Sequence, residues 1–231
     1  MKKSIVIIAV LLLAFSIDTI AQKPGKPFKG IVTYSMKYEG DLDPATLAQL
    51  PTTQSVNILG KYSKVETIVP GATFVVISNG YDSTSTMLYD IMGLGKYCVK
   101  TGKDKIAEAI EKNKPETINY IDETKTIAGY VCKKAEYITK NEFDEKETTI
   151  VYYNETIGGP ELNYVGNFPG LIGFPMEYVA KNKDMNMTVT ATVSEVKTKK
   201  VKLKDVNFFI PTDYKEITAE EFMQMLGGVG N

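Results

Sequence analysis

The chain has 231 residues, of which 43% are hydrophobic and 24% charged, with 27 basic side chains against 28 acidic ones. That balance excludes a disordered chain, a collagen-like repeat and a large basic nucleic-acid-binding domain. Every basic residue is a lysine, and histidine, arginine and tryptophan are absent. Their absence removes Ser-His-Asp and Cys-His catalysis, imidazole metal sites and the bidentate guanidinium fork.

The first segment reads as a cleavable secretory signal over residues 1–21. Lys2 and Lys3 precede a thirteen-residue apolar run from Ile5 to Ile17, and the small residues Thr19 and Ala21 lie in its polar exit. A span of the bilayer needs roughly 20 apolar residues, so this run is too short for an anchor. No cysteine precedes Cys98, so the expected exit site offers no thiol for lipid attachment. The expected location is therefore the periplasm or the exterior. Residues 22–27 form a Pro/Gly/Lys tether, and no linker divides 28–231, which is expected to be a single β-rich domain.

Strands follow in rapid succession. From Phe28 to Tyr38 one phase carries Val32, Tyr34, Met36 and Tyr38, while Thr33, Ser35 and Lys37 alternate with them. A period of two is the mark of a half-buried antiparallel strand. Residues 187–193 repeat the pattern, and its phase slips at Ser194-Glu195-Val196, which predicts a bulge or a strand end. Further strands are expected at 53–60, 62–69, 73–78, 83–91, 95–100, 116–121, 127–138, 147–154, 173–180 and 205–210. Asn79-Gly80 is the expected two-residue hairpin turn, because both residues tolerate positive φ. Asn141 to Lys146 reads as a longer acidic hairpin loop.

Helices are few. Asp43 caps a turn that begins at Pro44 and stops at Pro51. Lys103 to Lys114 places Ile106, Ala109 and Ile110 on one stripe before Pro115 ends it. Thr218 and Glu221 form a capping box ahead of Phe222, Met225 and Leu226, and Gly227-Gly228 terminates that helix. The fold class is mainly β, or α+β with segregated helices: a large curved antiparallel sheet or open half-barrel with a few short helices.

Candidate chemistry is sparse. In an oxidising compartment Cys98 and Cys132 form either a disulfide or two buried thiols, and they are the disulfide candidate. Glu142, Asp144, Glu145 and Glu147 lack the glycine and the spacing of a calcium loop. Gly93-Leu94-Gly95-Lys96 fails the phosphate-loop pattern and reads as a turn. The lysines at 197, 199, 200, 202 and 204 suit either contact with anionic headgroups or protection of a strand edge. No catalytic set, metal site or cofactor is expected, and near-neutral charge without arginine argues against nucleic acid.

One segment is unusual. Asn167 to Tyr178 packs apolar residues around Pro169, Gly170, Gly173 and Pro175, so it either plugs a core or lines a pocket. Phe168, Leu171, Ile172, Phe174 and Met176 are the candidate ligand-binding rim.

Phe168-Pro169-Gly170-Leu171-Ile172 resembles the Gly-Leu-Pro-Gly-Leu-Ile signature of the secreted bacterial family named GLPGLI, with Asn167-Phe168 standing where that signature begins. Gly129-Tyr130-Val131-Cys132-Lys133-Lys134-Ala135 is similar to that group's central strand, and Pro211-Thr212-Asp213-Tyr214 to its closing segment. The resemblance implies a relative of the periplasmic lipoprotein carriers, the LolA-like fold, with an open half-barrel around helices and no catalytic set.

The expected function is an exported periplasmic binding module that shelters a lipid acyl chain or an apolar partner segment. Lipid or lipoprotein is the expected partner, with peripheral or no membrane contact. The alternatives are a non-enzymatic interaction domain of the envelope with a filled core and, ranked below both, a carboxylate-based hydrolase.

Overall fold

The computed structural model describes residues 27–141, 144–182, 186–198 and 208–227. Its strands are β1 (Lys29–Gly40), β2 (Thr53–Leu59), β3 (Tyr62–Val69), β4 (Ala72–Asn79), β5 (Thr84–Ile91), β6 (Gly95–Thr101), β7 (Thr117–Ile127), β8 (Tyr130–Lys140), β9 (Lys146–Asn154), β10 (Phe174–Asn182), β11 (Met187–Lys197) and β12 (Lys215–Glu216). The helices are α1 (Pro44–Leu47), α2 (Lys103–Asn113), α3 (Pro160–Asn163) and α4 (Ala219–Gly227). All the strands join one curved, unclosed sheet in the order β12-β6-β5-β4-β3-β2-β1-β11-β10-β9-β8-β7. Every neighbouring pair is antiparallel except β12 with β6.

Local rules explain most of this. β1 buries Val32 and Tyr34 along one phase, as its alternation predicts. The expected phase slip in β11 is a bulge: Thr33 pairs with Glu195 and Tyr34 with Val193, leaving Ser194 as the extra residue. Its hydroxyl donates to Thr33 O at 3.1 Å. Asp43 caps α1 by accepting from the backbone of Ala45 and Thr46, and the Thr218–Glu221 capping box forms in both directions.

Two turns differ from expectation. β4 and β5 are joined by a four-residue turn, 80–83, rather than by Asn79-Gly80 alone, because Asn79 pairs with Thr84. Asn79 closes that turn from inside the strand, its side chain accepting from Tyr81 N at 3.0 Å. The strand expected at 127–138 is divided by Ala128-Gly129, both at positive φ. These two residues make the tight turn between β7 and β8, where Ile127 pairs with Tyr130.

Register turns the alternation into rows across the sheet. Val32, Val56, Val65, Val76, Met87 and Val99 are successive cross-strand partners from β1 to β6. A parallel row runs Ile58, Ser63, Ser78, Ser85 and Thr101. Both lie on what we term the inner face. At the β6 end this face is covered by α4, whose Phe222 stacks on Tyr89 with ring centroids 3.9 Å apart. On the outer face, Val75, Ile77, Leu88 and Cys98 are covered by Phe208, Ile210 and Tyr214. The strand expected at 205–210 is therefore a cap from 208 onward, and 205–207 lie outside the described residues.

Of the two states expected for the cysteines, the disulfide is not formed and the two buried thiols are found. Cys98 and Cys132 are free and buried. They sit on β6 and β8, near opposite ends of the sheet order, and belong to separate apolar clusters. Burial pushes both thiols up, that of Cys132 to about 11.

Candidate functional site

The unusual segment is preceded by α3, which sequence reasoning missed. Pro160 opens this single turn, and its four residues are too few to show a helical period. Asn163 at its end is buried and donates from Nδ2 to Leu171 O and to Gly173 O, both at 2.9 Å. Tyr137 OH donates to Pro169 O at 3.0 Å, and Tyr164 OH to Thr84 O at 2.7 Å. The non-regular backbone between α3 and β10 is thereby pinned to β8 on one side and β5 on the other. Gly170 takes a φ of +85°, which suits glycine. Gly173 is required for space: a Cβ there would lie 2.4 Å from the Tyr153 ring and 3.0 Å from the Asn154 backbone.

The segment's apolar side chains divide into two groups. Phe168 and Leu171 pack with Ala135, Tyr137, Val151 and Tyr153 on the β8–β9 side. Phe168 meets Tyr137 and Tyr178 edge-on, at centroid distances of 5.1 and 5.0 Å. Phe174 and Met176 belong to the main core with Val32, Tyr34 and Val56. Leu171 and Met176 are 0% exposed, whereas Ile172 is 41% exposed.

Between the segment and the strands β1–β5 lies a hollow of about 400 Å³. Its floor is the valine row (Val56, Val65, Val76 and Met87), with Ser63 and Ser78 beside it. Its roof includes Leu162, Val165, Phe168 and Phe174. Among the described residues that line it, none is Asp, Glu or Lys. Its two tyrosines stay neutral: burial pushes both phenols up, Tyr34 well above its ordinary value and Tyr178 less far. A second hollow of about 210 Å³ continues it along α2, the two sharing Met87, Val165 and Gly166.

Of the five candidate rim residues, the structure brings Phe168 and Phe174 to the hollow and leaves the others off its lining. Leu171 and Met176 are core rather than rim: the loop packs Leu171 into the β8–β9 cluster, and β10 places Met176 in the main core. The floor residues were not singled out from sequence. The signal was nonetheless there: turns at Gly60-Lys61 and Pro70-Gly71 set Val56 opposite Val65 and Val65 opposite Val76.

The other candidates have local roles. Lys197 pairs with Glu195 at 2.8 Å, and Lys199, Lys200, Lys202 and Lys204 lie outside the described residues. Lys140 holds Asp144 at 2.6 Å in the acidic hairpin, where Glu142 is likewise outside them. Among the described residues no helix is long and apolar enough to cross a membrane.

No protein-family model matches the chain, and no curated protein does. Solved structures do. PNGF-II in its P21 crystal form is 20% identical with a TM-score of 0.50, over 87% of this chain and 33% of that one. Its C2 form is 16% identical with a TM-score of 0.48, over 86% and 32%. The Mycobacterium tuberculosis lipoprotein LppX is 11% identical with a TM-score of 0.36, over 76% and 90%. The chain spans about a third of the length of PNGF-II, and the P21 likeness concerns the fold of that third.

Proposed function

We propose that this protein is an exported, non-enzymatic binding module that shelters an acyl chain or another apolar segment in the hollow on its inner face. The observation that carries this reading is the hollow itself. It is an uncharged concavity of about 400 Å³, floored by valines and roofed by a loop that glycines and buried hydrogen bonds hold in place. Small-molecule sites are typically about 300–1,000 Å³ and mostly apolar. Apolar contact is non-directional, so a chain without histidine or arginine loses nothing for this task. Location in the envelope follows from the signal-like segment 1–21, and the LolA-like half-barrel agrees with an open curved sheet.

The test is native mass spectrometry of the protein purified gently from its own envelope, followed by solvent extraction. An added mass that extracts as a lipid supports the reading and identifies the ligand class. A bare mass that stays unchanged after incubation with lipids overturns it. That outcome would favour an interaction domain with a filled core, a reading supported by the complete burial of Leu171 and Met176.

A further inference from the structure

The serine row interrupts an otherwise apolar floor, and β-rich interiors rarely bury hydroxyls without partners. Ser63, Ser78 and Ser85 stand side by side on β3, β4 and β5, each at most 6% exposed. Beside Ser78 stands Tyr164, whose phenol donates to Thr84 O at 2.7 Å. Ser85 is different. Among the described residues its Oγ is the buried side-chain oxygen without a hydrogen-bond partner. It lines the smaller hollow along α2, together with Ile106 and Ile110.

We infer that Ser85 is the polar anchor of the ligand, donating a hydrogen bond to an uncharged oxygen, the carbonyl of an acyl ester. This rests on the binding reading above and goes further by giving the ligand a chemistry and a direction. The tail lies over the valine row, the ester sits at Ser85, and the headgroup leaves past Asn113 and Pro169. Those two residues also line an outer hollow of about 790 Å³, where charged side chains first occur. There Lys112, Lys114 and Lys140 stand with Glu111 and Glu116, a mixed surface suited to a neutral polar headgroup.

The charge of the lining selects the ester over an ionised fatty acid. No Lys, Asp or Glu lines either inner hollow among the described residues. The titratable side chain facing Ser85 is Tyr164, kept neutral by burial, with nearby Asp82 adding to the effect. A buried carboxylate would find no cation there, and an unpaired buried charge is far costlier than an ester oxygen with one donor. A plain hydrocarbon would fit the valine row but leave Ser85 without a partner, so it would gain nothing there.

The experiment displaces an apolar fluorophore with three probes at pH 9: monopalmitoylglycerol, ionised palmitate and hexadecane. Wild type is expected to bind the ester more tightly than palmitate. Ser85→Ala should weaken the ester about tenfold and leave hexadecane unchanged, the size of one buried hydrogen bond. Ser85→Thr, which restores a hydroxyl, should recover most of that loss. Because the alanine variant deletes an unsatisfied group, its melting temperature without ligand should rise by roughly 2–4 °C, which separates anchoring from folding. Palmitate binding as tightly as the ester, or equal losses for ester and hydrocarbon in Ser85→Ala, would overturn the inference. Ester uptake without any dependence on Ser85 would sink this inference alone, whereas failure of all three probes would sink the binding reading with it.

Discussion

The two halves of the inner face solve the same problem differently. On the β8–β9 side, the sheet presents Ala135 and Val151 between Tyr137 and Tyr153, and the loop after α3 fills the space with Phe168 and Leu171. On the β2–β5 side the sheet presents Val56, Val65, Val76 and a row of serines, and the same loop stops short of the floor. One half is a packed core and the other a hollow. The difference lies in side-chain volume and loop reach, since both halves are antiparallel and similarly paired. A single loop thus seals one half and roofs the other, which ties the shape of the hollow to the stability of the core beside it.

The strongest way to break this comparison is Leu171→Ala. A fully buried leucine in a dense cluster should cost about 3 kcal/mol in chemical denaturation, with a cavity left on the sealed side. A loss below about 1 kcal/mol would mean that the loop is a movable lid rather than core. Next comes Asn163→Ala, which strips the amide from two buried carbonyls. It should cost about 2 kcal/mol and loosen the hollow, seen as faster exchange of the amides from Leu171 to Phe174.

Alkaline titration separates the halves by a different route. Burial pushes Tyr137 on the sealed side and Tyr164 beside the hollow up to about 12, from an ordinary value of 10.0. A phenol with a raised folded pKa holds its proton more tightly when folded. Its contribution is therefore complete below about pH 10 and lost as pH rises towards 12. Stability followed by circular dichroism should fall across that window, and Tyr137→Phe should make the fall shallower. An unchanged slope would show that the phenol is already exposed.

Val76→Trp acts on the hollow alone. The indole should occupy the floor, change stability by less than about 1.5 kcal/mol and weaken uptake of an apolar fluorophore at least tenfold. The smallest effect is expected from Ile172→Ser, next in sequence to Leu171 but 41% exposed. Its stability should change by about 0.5 kcal/mol or less, and its fluorophore binding not at all.

Strand positions were legible because period-two alternation is a local property: Val32, Tyr34 and Met36 announce β1, and the slip at Ser194 announces its partner's bulge. Caps were legible for the same reason, at Asp43 and Thr218. The turn after β4 was misjudged because Asn79 is held in the strand by its pair with Thr84, a contact five residues away. The site was half legible. Its Pro/Gly composition marked the segment from Asn167 to Tyr178, yet which of its side chains face the hollow depends on where Asn163 and Tyr137 hold the backbone before β10.

Composition and alternation along the chain establish a β-rich fold without His or Arg chemistry, with an apolar segment at its most irregular point. Folding in three dimensions then places Cys98 and Cys132 too far apart in sheet order to bond, buries Leu171 in the core while Phe168 and Phe174 reach a hollow, and leaves Ser85 unpartnered beside it. The physical reason is the same in each case. Alternation and caps are set by neighbours along the chain, whereas strand order, loop docking and the filling of space between sheet and loop are set by contacts between distant residues.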